Sequence, residues 1–168
     1  VYDLYQNPGR KQVACSRCTL SELCLPRNLS ESETQRFEQI VHRSRPIQPG
    51  EHLFRAGDPF RSVANVRSGC FKSYVIDHEG QEQVLGFHLP GEIIGLDAIN
   101  SEQHPCGAKA LETTSVCEIP FERLESLAGI ISGLGKQLLR IMSREIQADE
   151  ELLTLLGKKS AEERLAAL

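Results

Sequence analysis

Three cysteines fall within ten residues near the start of the chain, Cys15-x-x-Cys18-x5-Cys24, and no other part of the sequence concentrates as much chemistry. Thiolates on a short, non-periodic segment contribute little to packing, but they can converge on one soft metal centre. Such a centre needs a fourth ligand. The remaining cysteines are Cys70, Cys106 and Cys117, so that ligand must come from a distant part of the chain, and binding would tie the N-terminal segment to the body.

Other readings of the same thiols differ in what they require. A disulfide framework needs a secreted chain, yet no apolar signal segment stands at the N-terminus, and 168 residues bury a core without staples. A dithiol redox pair at Cys15-Ser16-Arg17-Cys18 would open a helix after a strand, and no strand pattern precedes it. Zinc also takes four thiolates, although structural zinc usually presents two paired knuckles where this segment has one. Spacing alone leaves iron–sulfur and zinc both open. The five histidines, His42, His52, His78, His88 and His104, show no ligand spacing and read as surface or locally bonded residues.

Composition sets the surroundings. Hydrophobic residues make up 40% and charged residues 25%, with no apolar run long enough to cross a bilayer, so the expectation is a soluble, cytoplasmic protein without a membrane role. A net charge of −4 argues against nucleic-acid binding by this stretch alone, because phosphate contacts demand a basic face. No enzymatic activity is expected. The chain begins at Val1 and stops inside a helical pattern, which reads as part of a longer protein.

The elements that must position the cysteines follow from periodicity. Ser30-x-x-Glu33 is a capping box opening a short helix whose buried side is Phe37, Ile40 and Val41. From Pro46 to Pro120, turn signals such as Pro49-Gly50, Ser68-Gly69, Glu79-Gly80 and Pro90-Gly91 separate short apolar runs. These runs are His52–Phe54, Val63–Val66, Phe71–Ile76, Val84–Leu89, Ile93–Leu96 and Ser115–Ile119, the pattern of an antiparallel sandwich or roll. From Phe121 the period becomes helical through Leu124, Leu127 and Ala128, until a glycine-broken stretch at 129–135. A long helix is expected from about Lys136 to Leu156, with Gly157 as terminator. Its Leu139, Met142, Ile146, Asp149, Leu153 and Leu156 recur at spacings 3, 4, 3, 4, 3, a heptad seam suited to a homodimer. Asp149 would meet its own copy there and keep the dimer marginal. A second capping box, Ser160-x-x-Glu163, opens a further helix. The resulting expectation is an α+β chain: a cysteine-bearing segment at 1–28, a β-roll with flanking helices at 29–133, a dimerisation helix at 134–157, and the start of another helix at 158–168.

Several motifs carry a resemblance. The cysteine segment, Arg67-Ser68-Gly69, the run Gly86-Phe87-His88-Leu89-Pro90-Gly91-Glu92, Ala110-Leu111-Glu112-Thr113-Thr114, Cys117-Glu118-Ile119-Pro120-Phe121-Glu122 and Ser160-Ala161-Glu162-Glu163-Arg164 together resemble the oxygen-sensing, FNR branch of the CRP/FNR superfamily of bacterial transcription factors. The resemblance implies a cyclic-nucleotide-binding-like jelly roll and an oxygen-labile [4Fe-4S] cluster on Cys15, Cys18, Cys24 and Cys117. It also implies a cluster-controlled monomer–dimer equilibrium and DNA binding through a C-terminal helix-turn-helix absent from these residues. Cys70 and Cys106 have no counterpart in that ligand pattern and are read as packing or incidental thiols. The resemblance assigns a contact with RNA polymerase to the hairpin carrying Ile76, Asp77, Glu79, Gly80 and Gln81, where an ordinary exposed turn would look the same. Cyclic-nucleotide receptors of the superfamily grip phosphate with an arginine after Gly-Glu-Leu; Gly91-Glu92-Ile93 is present, but His104-Pro105-Cys106-Gly107-Ala108-Lys109 lacks that arginine, so no cyclic nucleotide is expected.

Overall fold

Alternation along the strands explains the architecture. In a computed structural model that describes residues 15–158, eight strands and three helices follow one another. They are α1 (Glu31–Glu38), β1 (His42–Arg43), β2 (His52–Phe54), β3 (Ser62–Ser68), β4 (Phe71–Ile76), β5 (Glu82–His88), β6 (Ile93–Ile94), β7 (Gly107–Ala110), β8 (Ser115–Pro120), α2 (Phe121–Ile130) and α3 (Ser132–Lys158). The strands form two four-stranded antiparallel sheets, ordered β1-β8-β3-β6 and β2-β7-β4-β5. The α+β roll expected from the sequence is present, and a long C-terminal helix follows it.

The first sheet is buried on both faces. Ala64, Val66, Ile94 and Val116 join Phe71, Ala108 and Ala110 in one core inside the roll. Their neighbours Val63, Ile93 and Ile119 project to the opposite side, into a second core with Leu25, Phe37, Val41, Leu124, Leu134 and Ile141. This is why 63–66 shows no apolar/polar alternation: each residue there has a covered face waiting for it. Full burial of such a side chain contributes about 1.5–3 kcal/mol, and a one-residue slip would push Asn65 into the roll, so the register of β3 is strongly specified.

Local signals behave as expected where they are strong. Ser30 Oγ accepts from the Glu33 amide while Glu33 Oε2 accepts from the Ser30 amide at 2.8 Å, closing the capping box of α1. Gly69, at φ +82, lies so close to Thr114 that a Cβ there would stand 2.4 Å from Thr114 Oγ1.

Several expectations need correction. β1 and β7 were not legible as strands; β7 is short and small-sided, and β1 has two residues. Ile40 and Val41 are buried, but they lie beyond the end of α1. The glycine-rich stretch breaks the helix only at Ile131, whose backbone is extended, and α3 begins at Ser132, ahead of Lys136. Gly157 does not terminate α3, which runs through it to Lys158. His104 is neither exposed nor merely locally bonded: it is buried and stacks on Phe54 at 3.6 Å between ring centroids. The helix expected from Ser160 and the side chain of Leu156 lie outside the described residues.

On α3, Leu134 and Ile141 pack into the core, whereas Leu139, Ile146 and Leu153 are 67%, 58% and 68% exposed and Asp149 is exposed with them. Leu139, Ile146, Asp149 and Leu153 therefore point away from the chain's own core, while Met142 is half-buried.

Candidate metal centre

The cysteine segment is wound by successive turns. Cys15–Arg17 is one 3-10 turn, the Cys18 amide donates to the Cys15 carbonyl at 3.1 Å, and the Cys24 amide donates to the Leu20 carbonyl at 3.0 Å. Two anchors fix this coil to the body: the Ser16 amide donates to Glu38 Oε1 at 2.9 Å, and Leu25, 1% exposed, enters the second core. The segment thus covers the outer face of the first sheet.

Cys117 comes to the same place by strand alternation. Its partners across the sheet are Arg43 on β1 and Asn65 on β3, and Asn65 pairs in turn with Ile93 on β6. The row Arg43–Cys117–Asn65–Ile93 is the wall against which the coil lies. Cys15, Cys18, Cys24 and Cys117 line one small cavity of about 30 Å³ with Leu25, Phe37, Val41, Asn65 and Ile119. Cys70 is not among the lining residues. Nor is Cys106, whose thiol donates to Asp97 Oδ2 at 3.3 Å and is pushed up to about 12 by burial and by that carboxylate.

Electrostatics in the cavity oppose free thiolates. Burial raises the Cys15 thiol to about 12, and Cys117, Glu38, Cys24 and Cys18 add to the rise. Cys24 is likewise raised to about 12, by burial first and then by Cys18 and Cys117. Burial raises Cys117 as well, opposed by Arg43 and Arg67. Thiolates this close cannot ionise together in an apolar cavity without positive charge to compensate them. Part of that charge is built in, because Arg43, the cross-strand partner of Cys117, lowers its thiol while the buried Arg43 Nε has no acceptor. Among the described residues no three His, Cys, Asp or Glu side chains meet closely enough to hold a single ion. The donor set fits a soft, thiophilic metal centre whose four thiolates leave the whole net negative: four thiols, an apolar surround, and an arginine with an orphaned donor.

The body covers the thiols more than the coil's own leucines do. Leu23 is 58% exposed and leans on Gly91, while Phe37, Val41 and Ile119 from the body supply most of the apolar lining. Arg43 and Asn65 are the site residues that sequence reasoning missed. One signal was available: Asn65 interrupts the apolar run Val63–Val66, and a polar residue inside a doubly buried strand needs a partner.

A fold of two facing antiparallel sheets followed by a long helix defines the class. Residues 44–129 match the family described as the cyclic nucleotide-binding domain, and the chain belongs to that family, in its CRP/FNR branch. It is 51% identical over 159 residues to the fumarate and nitrate reduction regulatory protein of Vibrio cholerae, an overlap covering 95% of this chain and 64% of the relative. The protein of the same name from Escherichia coli is 50% identical over the same shares. The chain thus spans about two thirds of the length of these curated relatives, which are named as regulators and not as enzymes. Among solved structures, the Thermus thermophilus catabolite activator protein superposes with a TM-score of 0.67 at 23% identity, over 79% of this chain and 62% of that one. The sensor domain of the Pseudomonas aeruginosa regulator DNR gives 0.66 at 20% identity, over 79% and 89%. These two show the fold.

Proposed function

We propose that this chain is the sensing and dimerising part of an oxygen-responsive transcription regulator, holding a [4Fe-4S] cluster on Cys15, Cys18, Cys24 and Cys117. The observation that carries the reading is that three thiols of the N-terminal coil and one from β8 line a single apolar cavity. The curated relatives' name, which refers to fumarate and nitrate reduction, supports an anaerobic role.

When bound, the cluster supplies an oxidisable centre that small oxidants can reach. The chain's own residues turn its presence into geometry. Ligation at Cys117 and on the coil would tie the two together, and Cys117 lies within β8, which runs directly into α2 and through it to α3. Release of that tie loosens the coil against the sheet and alters how α3 presents Ile146 and Asp149. In a seam near balance, ~1.4 kcal/mol moves the dimerisation constant tenfold. DNA is read by a C-terminal region beyond these residues, and RNA polymerase meets the β4–β5 hairpin, where Asp77 Oδ1 accepts from the Glu79 and Gln81 amides at 2.9 Å and Ile76 is exposed.

A structural zinc site is the second reading, because four thiols are also a zinc ligand set. Anaerobic purification separates the two: the cluster reading requires a brown protein containing iron and sulfide, and a colourless zinc protein overturns it. Serine in place of each of Cys15, Cys18, Cys24 and Cys117 should abolish the visible absorbance, while Cys70→Ser and Cys106→Ser retain it. Full cluster content in Cys117→Ser would remove β8 from the site.

A further inference from the structure

Asn65 is 4% exposed, and both ends of its side chain are engaged. Its Oδ1 accepts from the Cys24 thiol at 3.2 Å, and its Nδ2 donates to the Gly91 carbonyl at 3.3 Å. It is also the cross-strand neighbour of Cys117, so one carboxamide stands beside two of the four thiols. Gly91 also meets the coil directly, since a Cβ there would lie 2.9 Å from Leu23 Cβ. The next residue, Glu92, is among the charges acting on Glu145 of α3.

We propose that Asn65 is a positioning residue of the metal centre: it holds Cys24 against the sheet and exchanges its hydrogen-bond partners when Cys24 becomes a ligand. The inference rests on the cluster reading above. A free Cys24 thiol donates, and Oδ1 is the right partner for it. On ligation the thiol proton leaves to solvent, and the sulfur, now bonded to metal, only accepts. Oδ1 then faces a sulfur that offers it no hydrogen, and the donor end, Nδ2, is the group that suits the ligand. A carboxamide is nearly symmetric in shape, so a half-turn about its terminal bond supplies that donor, at the expense of the bond to Gly91. Ligation is thereby linked to the Gly91–Glu92 turn. A donor to a ligand sulfur also draws off charge and strengthens retention of an anionic centre.

The test compares wild type with Asn65→Ala and Asn65→Ser, each as the thiol form and after anaerobic reconstitution with ferrous iron and sulfide. Resonance Raman spectra report the iron–cysteine stretching bands, amide hydrogen exchange reports residues 89–92, and a chelator challenge reports retention. The expected result is wild-type iron and sulfide content in the variants with shifted iron–cysteine bands, roughly tenfold weaker retention, and loss of the exchange change that wild type shows on reconstitution. If Asn65→Ala fails to fold, judged by melting of the thiol form, the smaller polar perturbation of Asn65→Ser decides. Wild-type bands, retention and exchange response in a folded variant overturn the role of Asn65 and leave the cluster reading standing. A wild-type chain that takes up no iron and sulfide overturns that reading, and this inference with it.

Discussion

Arg43 and Cys117 are partners across β1 and β8, and the charge of the first lowers the thiol of the second against the effect of burial. The pair joins a short edge strand to the only cavity cysteine that lies outside the coil. An arginine whose buried Nε lacks an acceptor is costly to retain unless a negative group stands beside it.

Replacing Arg43 with Gln keeps a polar side chain and removes the charge. Because Arg43 lowers the Cys117 thiol against burial, the variant thiol should titrate higher and alkylate more slowly in the metal-free form. Groups that stand behind a metal ligand typically affect affinity by roughly tenfold or more, so iron retention against a chelator should fall by about an order of magnitude. Unchanged retention would show that the arginine serves packing alone.

Ile146 and Asp149 should act in opposite directions on association. Asp149→Ala removes a like-charge contact across a two-fold seam and should strengthen dimerisation by about 1–3 kcal/mol. Ile146→Ala should weaken it by roughly 2–4 kcal/mol per side if fully packed. Both side chains are exposed in the single chain, so neither change should lower the melting point of the monomer appreciably. Sedimentation of both variants with and without air checks the signs, and a dimer weakened by Asp149→Ala rules out the seam.

Gly69 and Gly80 share a positive φ, +82 and +81, but differ in surroundings. Alanine at Gly80 meets nothing within 4 Å and should cost only the strain of the conformation, about 1 kcal/mol. Alanine at Gly69 must also displace Thr114, which is fully buried, and should cost several kcal/mol. Denaturant titration of the two variants compares them directly; equal losses would contradict the packing of the 67–69 turn against Thr114.

Glu82 gives a pH dependence. Its hydrogen bonds with Lys109 and Lys72 hold the carboxyl down at about 2, against the usual 4.5. A carboxyl lowered on folding contributes stability that is fully present above about 4.5 and is lost as pH falls towards about 2. The melting temperature of Glu82→Gln should therefore lie below wild type at neutral pH and converge with it across that acid window. A constant gap from pH 7 to pH 2 would show that the carboxylate is not the source of the difference.

What the sequence determined by itself was mostly local. The Ser30 and Glu33 capping box, the positive-φ glycines of the turns, and the close trio of cysteines each depend on residues a few places apart, and they read directly. The heptad stripe on α3 was legible for the same reason, since helical spacing brings its residues to one face without help from the rest of the chain. Cys117 was different. Spacing left Cys70, Cys106 and Cys117 as equal candidates for a fourth thiol, and only the family resemblance chose among them. In the folded chain the register of β8 between β1 and β3 turns Cys117 to the face that the coil covers, while Cys70 and Cys106 stand elsewhere. Arg43 and Asn65 flank it by the same pairing, over sequence distances that no local pattern spans. Side chains alternate faces with period two, so which polar residues meet the thiols is settled by cross-strand register, and register is a property of the whole sheet.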